Sequence, residues 1–173
     1  MATFTSKEDE EFFGAIGRLT ISWAHLELGL DCMVEILYRG FKGNTIEAEM
    51  PRNLQRKITF LRAAFQKLPI GTRAVQGYLT LLNRIQAAAQ TRHDIIHGVN
   101  IEQAERSGEA TMVRAIRCRN GVIKKRRFHV TTLDILKAAR EAQDLGGTVL
   151  HWVDEVHNLI QELSQQDTRQ RTQ

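Results

Sequence analysis

The chain has few cysteines, few prolines and no long apolar run, and each shortage excludes a class of protein. Two cysteines, Cys32 and Cys118, cannot form the disulfide framework of a small secreted module, so a reducing, cytoplasmic location is expected. Two prolines favour long helices over a loop-rich β architecture. No apolar run approaches the roughly 20 residues of a membrane span, and the acidic, polar N-terminus is unlike a signal peptide. The length predicts one domain over residues 1–173.

Acidic residues are missing from the stretch between Glu109 and Asp134. That stretch carries a net charge of +7, whereas the rest of the chain carries −3. This concentration of charge predicts an anionic partner, and RNA is the partner expected, because a basic arm neutralises backbone phosphates. The other interpretation of the pattern is a solvated β-ribbon whose like charges only repel one another. The candidate nucleic-acid-binding residues are Arg114, Arg117, Arg119, Lys124, Lys125, Arg126 and Arg127.

Apolar residues recur at helical spacing in several long segments. The first, from about residue 6 to residue 38, steps by four and three residues in a sustained heptad-like pattern. A second helix is expected to begin at Pro51 and to stop at Pro69. A third is expected to begin at Thr72 and to end just before Gly98.

A last helix is expected after Thr131 and Asp134, which have the spacing of a capping box. The pair Gly146-Gly147 lies inside this segment and predicts a bend or a break. The end of the chain, residues 164–173, lacks apolar residues and is expected to fray.

Two β-prone runs flank Asn120-Gly121, the strongest short signal for a hairpin. A two-residue turn there pairs Arg117 with Lys124, and neither face is then cleanly apolar, so the hairpin is expected to project from the body. The preceding residues 99–110 read as a polar loop. The sequence therefore predicts a mainly α protein, an up-and-down four- to five-helix bundle with one β-hairpin insert at about residues 111–130.

The third helix contains a residue that interrupts its own apolar pattern. Arg92 occupies a position in the apolar row, where a guanidinium is unfavourable unless it is paired or faces a wet cleft or an interface. His97 follows at the end of the same helix, about 140° around it. The two side chains are expected to converge if Gly98 lets the last turn open.

Arg92, the polar His93 and then His97 resemble the R-polar-x-x-x-H motif of the HEPN superfamily, in which the motif lies near the end of a helix in a helical bundle. The first helix also contains a Trp-x-x-Leu-Glu pattern that begins at Trp23 and ends at Glu27, and such a pattern recurs in bacterial HEPN-like proteins. The resemblance extends over most of the chain, roughly residues 6–163.

The resemblance implies a metal-independent endoribonuclease that acts as a homodimer, with the motifs of two copies meeting at the interface. It implies that His97 is the acid or base, that Arg92 clamps the phosphate and that His93 positions the substrate or the other two residues. The expected products are a 2′,3′-cyclic phosphate and a 5′-hydroxyl. A role as a toxin or defence effector, with an antitoxin or regulatory protein as partner, comes from the superfamily alone.

Three alternatives remain open from the residues themselves. Arg92 and Glu27 form a buried structural pair in one of them, although Glu27 is also a candidate for orienting Arg92 in catalysis. The chain is a non-catalytic RNA- or nucleotide-binding module in another, and a helical dimerisation protein in the third. No cofactor is expected. His93 and His97 have the spacing of metal ligands, but no second ligand pair accompanies them, so no metal site is expected.

Overall fold

Four α-helices and three β-strands make up the computed structural model, which describes residues 7–103, 109–117 and 123–171. The mainly α chain with a β-hairpin insert, as the sequence predicts, is confirmed. No helix within the described ranges combines the length and the apolarity that crossing a membrane would require. The helices are α1 (Lys7–Gly40), α2 (Leu54–Lys67), α3 (Thr72–His97) and α4 (Thr132–Arg171), and the strands are β1 (Val99–Gln103), β2 (Glu109–Arg117) and β3 (Ile123–Thr131).

Helix boundaries follow local capping chemistry. The predicted bounds of α3 are confirmed, since the helix begins at Thr72 and ends one residue before Gly98. The predicted start of α2 at Pro51 is wrong, because Asn53 is the capping residue and its side chain accepts a hydrogen bond of 2.9 Å from the Arg56 backbone N–H. A side-chain cap of this kind outweighs the preference of proline for the first turn.

Helix α4 runs without interruption through its two adjacent glycines, so the break allowed for there does not occur. Gly146 faces α1, since a Cβ at this position would lie 3.5 Å from the backbone of Leu26. This is an ordinary van der Waals distance, so an alanine at this position would also fit between the two helices. The helix continues to Arg171, and fraying of its last residues stays a prediction.

The capping box at the start of α4 is confirmed. The backbone N–H of Asp134 donates to the Thr131 hydroxyl at 3.1 Å, and the Thr131 hydroxyl and backbone N–H donate to the Asp134 carboxylate at 2.8 and 3.1 Å. These hydrogen bonds from Thr131 lower the pKa of Asp134 below its ordinary value.

We expect Thr131→Ala to reduce stability by about 1 kcal/mol at neutral pH, because the helix loses its cap. The Asp134 contribution is present above the ordinary pKa of an aspartate, about 4, and is lost as the pH falls below it, because the folded-state pKa is the lower one. Urea unfolding at pH 7 and pH 3 measures both effects. Asp134→Asn should flatten the acid-dependent loss, whereas Asp154→Asn, on the exposed part of α4, serves as the control and should retain it.

The chain divides into two compact units. Unit 2 consists of Ala24–Gln86 and Gln143–Gln173. Segments of the four helices pack there around an apolar core that includes a stack of Phe65 on Tyr78, with ring centroids 4.2 Å apart, and an edge contact of Tyr78 with Trp152 at 4.3 Å. Burial in this core, assisted by the charge of Glu155, raises the pKa of Tyr78 above its ordinary value.

Unit 1 consists of Met1–Trp23 and Ala87–Ala142 and contains the sheet. The prediction that the hairpin only projects from the body is wrong for its base, because Ala110, Met112 and Val130 are buried in the core of this unit and Phe128 packs against them. The other buried members of this core are Phe12, Ala15, Leu19, Ile95, Ile135 and Ala139.

The register of the hairpin differs from the predicted one by a single residue. Arg117 lies opposite Ile123, not Lys124, and the predicted turn falls on residues 118–122, which lie outside the described part of the chain. The core explains the shift, because the observed register places Met112 opposite Phe128 on the buried face. A shift of one residue would turn the apolar side chains to the opposite face.

The segment read as a polar loop contributes a third strand. Residues Val99–Gln103 form β1, which pairs antiparallel with β2 and has an irregular register between Asn100 and Glu102. The sheet therefore has the order β1-β2-β3, and β1 directly follows the end of α3. The sheet thus begins immediately beyond the motif that the sequence singles out.

Candidate active site

Arg92 lies on α3 in unit 1, half-buried, with its guanidinium carbon 5.9 Å from the ring centroid of Trp23 on α1. Trp23 is only 2% exposed, so a cation rests on an indole that is largely removed from water. Among the described residues, the Nε of Arg92 is buried and has no hydrogen-bond partner. A buried donor without a partner is unfavourable, so the guanidinium is held here without one of its ordinary hydrogen bonds.

His97 is the last residue of α3, and it is exposed. Its ring meets the ring of His93 edge-on, with centroids 4.4 Å apart, as expected for side chains one turn apart on a helix. Helical geometry continues to His97, so Arg92 and His97 point about 140° apart, and no hydrogen bond or ring contact joins them within the described chain. The structure thus brings the two histidines into contact and places the Arg92 guanidinium against Trp23, on a different side of the helix from His97.

Gly98 ends the helix for a reason that the sequence pattern does not reveal. A Cβ there would lie 2.8 Å from the backbone oxygen of Asp94, 3.0 Å from Phe128 and 3.1 Å from Met112. The expectation that glycine serves to open the last turn is therefore wrong. Its role is to admit the sheet against the end of α3, which holds β2 and β3 next to the motif.

Asp94, which follows His93 on α3, is a further component of the site. It is 8% exposed, and its carboxylate accepts hydrogen bonds of 2.9 Å from Gln90 and 3.0 Å from Arg126. The ion pair with Arg126 joins β3 to the middle of the motif helix. Sequence gives no signal for this contact, because its partners are 32 residues apart on different elements.

The basic side chains of β3 lie on both faces of the hairpin. Lys125, Arg126 and Arg127 are exposed on β3, and strand alternation puts Lys125 and Arg127 on the face opposite to Arg126. Arg126 is directed to Asp94, so its charge is partly neutralised within the protein. Of the remaining predicted residues, Arg114 and Arg117 lie on β2, Lys124 lies on β3 and Arg119 falls outside the described residues.

Glu27 is half-buried on the part of α1 that belongs to unit 2, whereas Arg92 belongs to unit 1. A pair between them therefore stays a prediction. Over the ranges that the structure describes, no three His, Cys, Asp or Glu side chains gather as ligands of a metal ion. The chemistry available at the end of α3 is that of a guanidinium, two imidazoles and an ion pair between buried Asp94 and exposed Arg126.

Comparisons of the chain with family models, with curated proteins and with solved structures find no match.

Proposed function

We propose that the chain is a metal-independent endoribonuclease of the HEPN type that cleaves single-stranded RNA. The observation that carries the proposal is the half-buried guanidinium of Arg92, which lies against Trp23 five residues before an exposed imidazole at the helix end. A phosphodiester supplies an anion for the accessible part of this half-buried guanidinium, and the transition state of in-line transfer concentrates charge on the phosphate oxygens.

The proposed reaction needs two proton transfers. A base takes the proton of the ribose 2′-hydroxyl, and the freed oxygen attacks the neighbouring phosphorus. The bond to the 5′-oxygen breaks, and an acid protonates this leaving group, which gives a 2′,3′-cyclic phosphate and a 5′-hydroxyl. His97 performs one of these transfers, Arg92 stabilises the phosphate and His93, in ring contact with His97, holds its orientation.

A homodimer supplies the second imidazole in this proposal. Support for a second copy comes from α1, where Phe13 and Ile21 are 45% and 61% exposed, although large apolar side chains favour burial. Gly14 and Gly17 lie on the same helix, and a Cβ at either would meet nothing within 4 Å. An exposed apolar strip of this kind fits a protein partner.

The biological role that we propose is that of a cytoplasmic toxin or defence effector, controlled by an antitoxin or a regulatory protein.

Cleavage in the presence of EDTA tests the proposal. We expect labelled single-stranded RNA to be cut with excess EDTA present, and we expect DNA of the same sequence to stay intact, because it lacks the 2′-hydroxyl. End analysis should find 5′-hydroxyl and 2′,3′-cyclic phosphate termini. Cleavage that needs an added metal ion, or products with 5′-phosphates, would contradict the mechanism.

A non-catalytic RNA-binding module is the second candidate, and the exposed Lys125 and Arg127 on β3 favour it. Such a module would bind the same RNA without cutting it, and the affinity would fall with rising salt. The cleavage assay therefore separates the two candidates when a binding measurement accompanies it.

A further inference from the structure

A cleft of about 440 Å³ in unit 1 lies next to Arg92 and is used by no step of the proposed reaction. Three helices line it, each through residues on one face: α1, α3 and α4. Its volume falls within the range of small-molecule sites, roughly 300–1,000 Å³. Trp23 lines the cleft and also contacts the guanidinium of Arg92, so this indole lies at the boundary of both sites.

One part of the lining is apolar. Leu19 and Trp23 contribute it from α1, Ala88 from α3 and Ala138 from α4. The two alanines leave space where larger side chains would close the gap between helices. Leu19 and Trp23 are only 1% and 2% exposed, so they form a closed apolar wall rather than an open stacking surface, and a flat, weakly polar group such as a nucleobase suits a cleft with such a wall.

The polar part of the lining is mostly acidic. Asp134, Lys137 and Glu141 lie on one face of α4, which gives two carboxylates and one ammonium. Asp134 and Lys137 are 3.9 Å apart, and the hydrogen bonds from Thr131 lower the pKa of Asp134. A net negative lining repels phosphate and favours groups that donate hydrogen bonds, such as the exocyclic amines of nucleobases.

We propose that this cleft binds the nucleobase adjoining the scissile phosphate and selects bases with an exocyclic amino group over uracil. The inference rests on the proposed function. A nucleotide joins a flat base to an anion through a ribose, and the site offers the matching pair of environments on either side of Trp23. The base enters the acidic, partly apolar cleft, and the phosphate stays outside it beside Arg92.

Equilibrium binding of mononucleotides tests the inference without cleavage. The variant Trp152→Phe leaves Trp23 as the remaining tryptophan, so its fluorescence reports the cleft. Cytidine 3′-monophosphate should change this fluorescence and bind about 10-fold more tightly than uridine 3′-monophosphate, since a well-formed amine contact gives discrimination of that order. Equal affinities for the two nucleotides would overturn the selectivity.

Two variants in the same background locate the binding. Ala88→Leu fills the cleft and should weaken both nucleotides by about 10-fold or more, while Glu141→Gln should reduce the preference for cytidine to less than about 3-fold. Glu8→Gln, in the exposed first turn of α1, is the matched control and should leave the preference unchanged. If Ala88→Leu does not fold by circular dichroism, the Glu141→Gln result decides.

The outcomes for the cleft and for the nuclease are separable. If the protein cuts no RNA but binds mononucleotides in a way that responds to these variants, the nuclease proposal is refuted and the nucleotide-binding cleft is supported. RNA cleavage in EDTA with no response of Trp23 to either nucleotide removes the cleft inference alone. Binding that persists undiminished in folded Ala88→Leu also overturns it, because the nucleotide then lies elsewhere.

Discussion

Replacing His97 by alanine is expected to lower the rate of RNA cleavage by about 100- to 10,000-fold, the range over which general acid–base groups act. The side chain is exposed at the end of α3, so its loss should change stability by less than about 0.5 kcal/mol. Initial rates at saturating RNA, together with thermal melting, measure the two quantities independently. A large fall in rate with an unchanged melting temperature identifies a chemical role.

A matched variant guards against a general effect of losing a histidine. His151 is similarly exposed on α4, with a side chain 70% accessible and its Nε2 3.4 Å from Glu155. His151→Ala should cut RNA at the rate of the unaltered protein. Full activity of His97→Ala would remove the proposed acid–base chemistry, whatever the behaviour of the control.

His93 makes the same experiment more informative. Because its ring contacts His97, His93→Ala should reduce the rate less than His97→Ala does, and the double variant should be no slower than His97→Ala alone. Non-additivity of this kind is expected when one side chain acts only by orienting the other. Independent, additive losses would instead give both imidazoles separate roles.

The helical part of the fold could be predicted because its signals are local. The bounds of α3 follow from Thr72 and Gly98, and the start of α4 follows from the capping box of Thr131 and Asp134. The sequence also singles out Arg92, because its charged guanidinium interrupts a row of otherwise apolar residues. Each of these inferences uses residues within a few turns of one another, where the geometry of an α-helix is known in advance.

The parts of the structure that could not be predicted depend on contacts between distant residues. The hairpin register places Met112 opposite Phe128 on the face that packs in the core, whereas the predicted register rests on the turn signal alone. The ion pair of Asp94 with Arg126 likewise joins two elements whose proximity no periodicity reveals. These two contacts also determine which basic side chains are left to face a nucleic acid.

The role of Gly98 illustrates how a correct boundary can rest on an incorrect reason. Glycine after a helix usually supplies a left-handed conformation, but here the side chain is missing because Asp94, Phe128 and Met112 leave it no room. The sheet is thereby held against the end of α3. The candidate site is consequently a property of the joined helix and sheet rather than of the helical motif alone.

Arg92 provides the second large expected effect. We expect Arg92→Ala to lower the cleavage rate by about 100- to 1,000-fold, the usual loss when a donor to transition-state charge is removed. Arg92→Lys keeps the charge but lacks the planar fork of donors, so it should restore only a small part of the rate. Arg62→Ala is the matched control, because Arg62 donates a hydrogen bond to Asn83 within unit 2 and should not affect cleavage.

Arg92→Met separates the phosphate clamp from a role in packing. Methionine retains an unbranched apolar chain that can cover Trp23, so the melting temperature should stay close to that of the unaltered protein. The charge and the donor are lost, so cleavage should fall as far as in Arg92→Ala. A folded Arg92→Met that still cuts RNA at the full rate would mean that Arg92 serves only to cover an indole, and the nuclease proposal would lose the observation on which it depends.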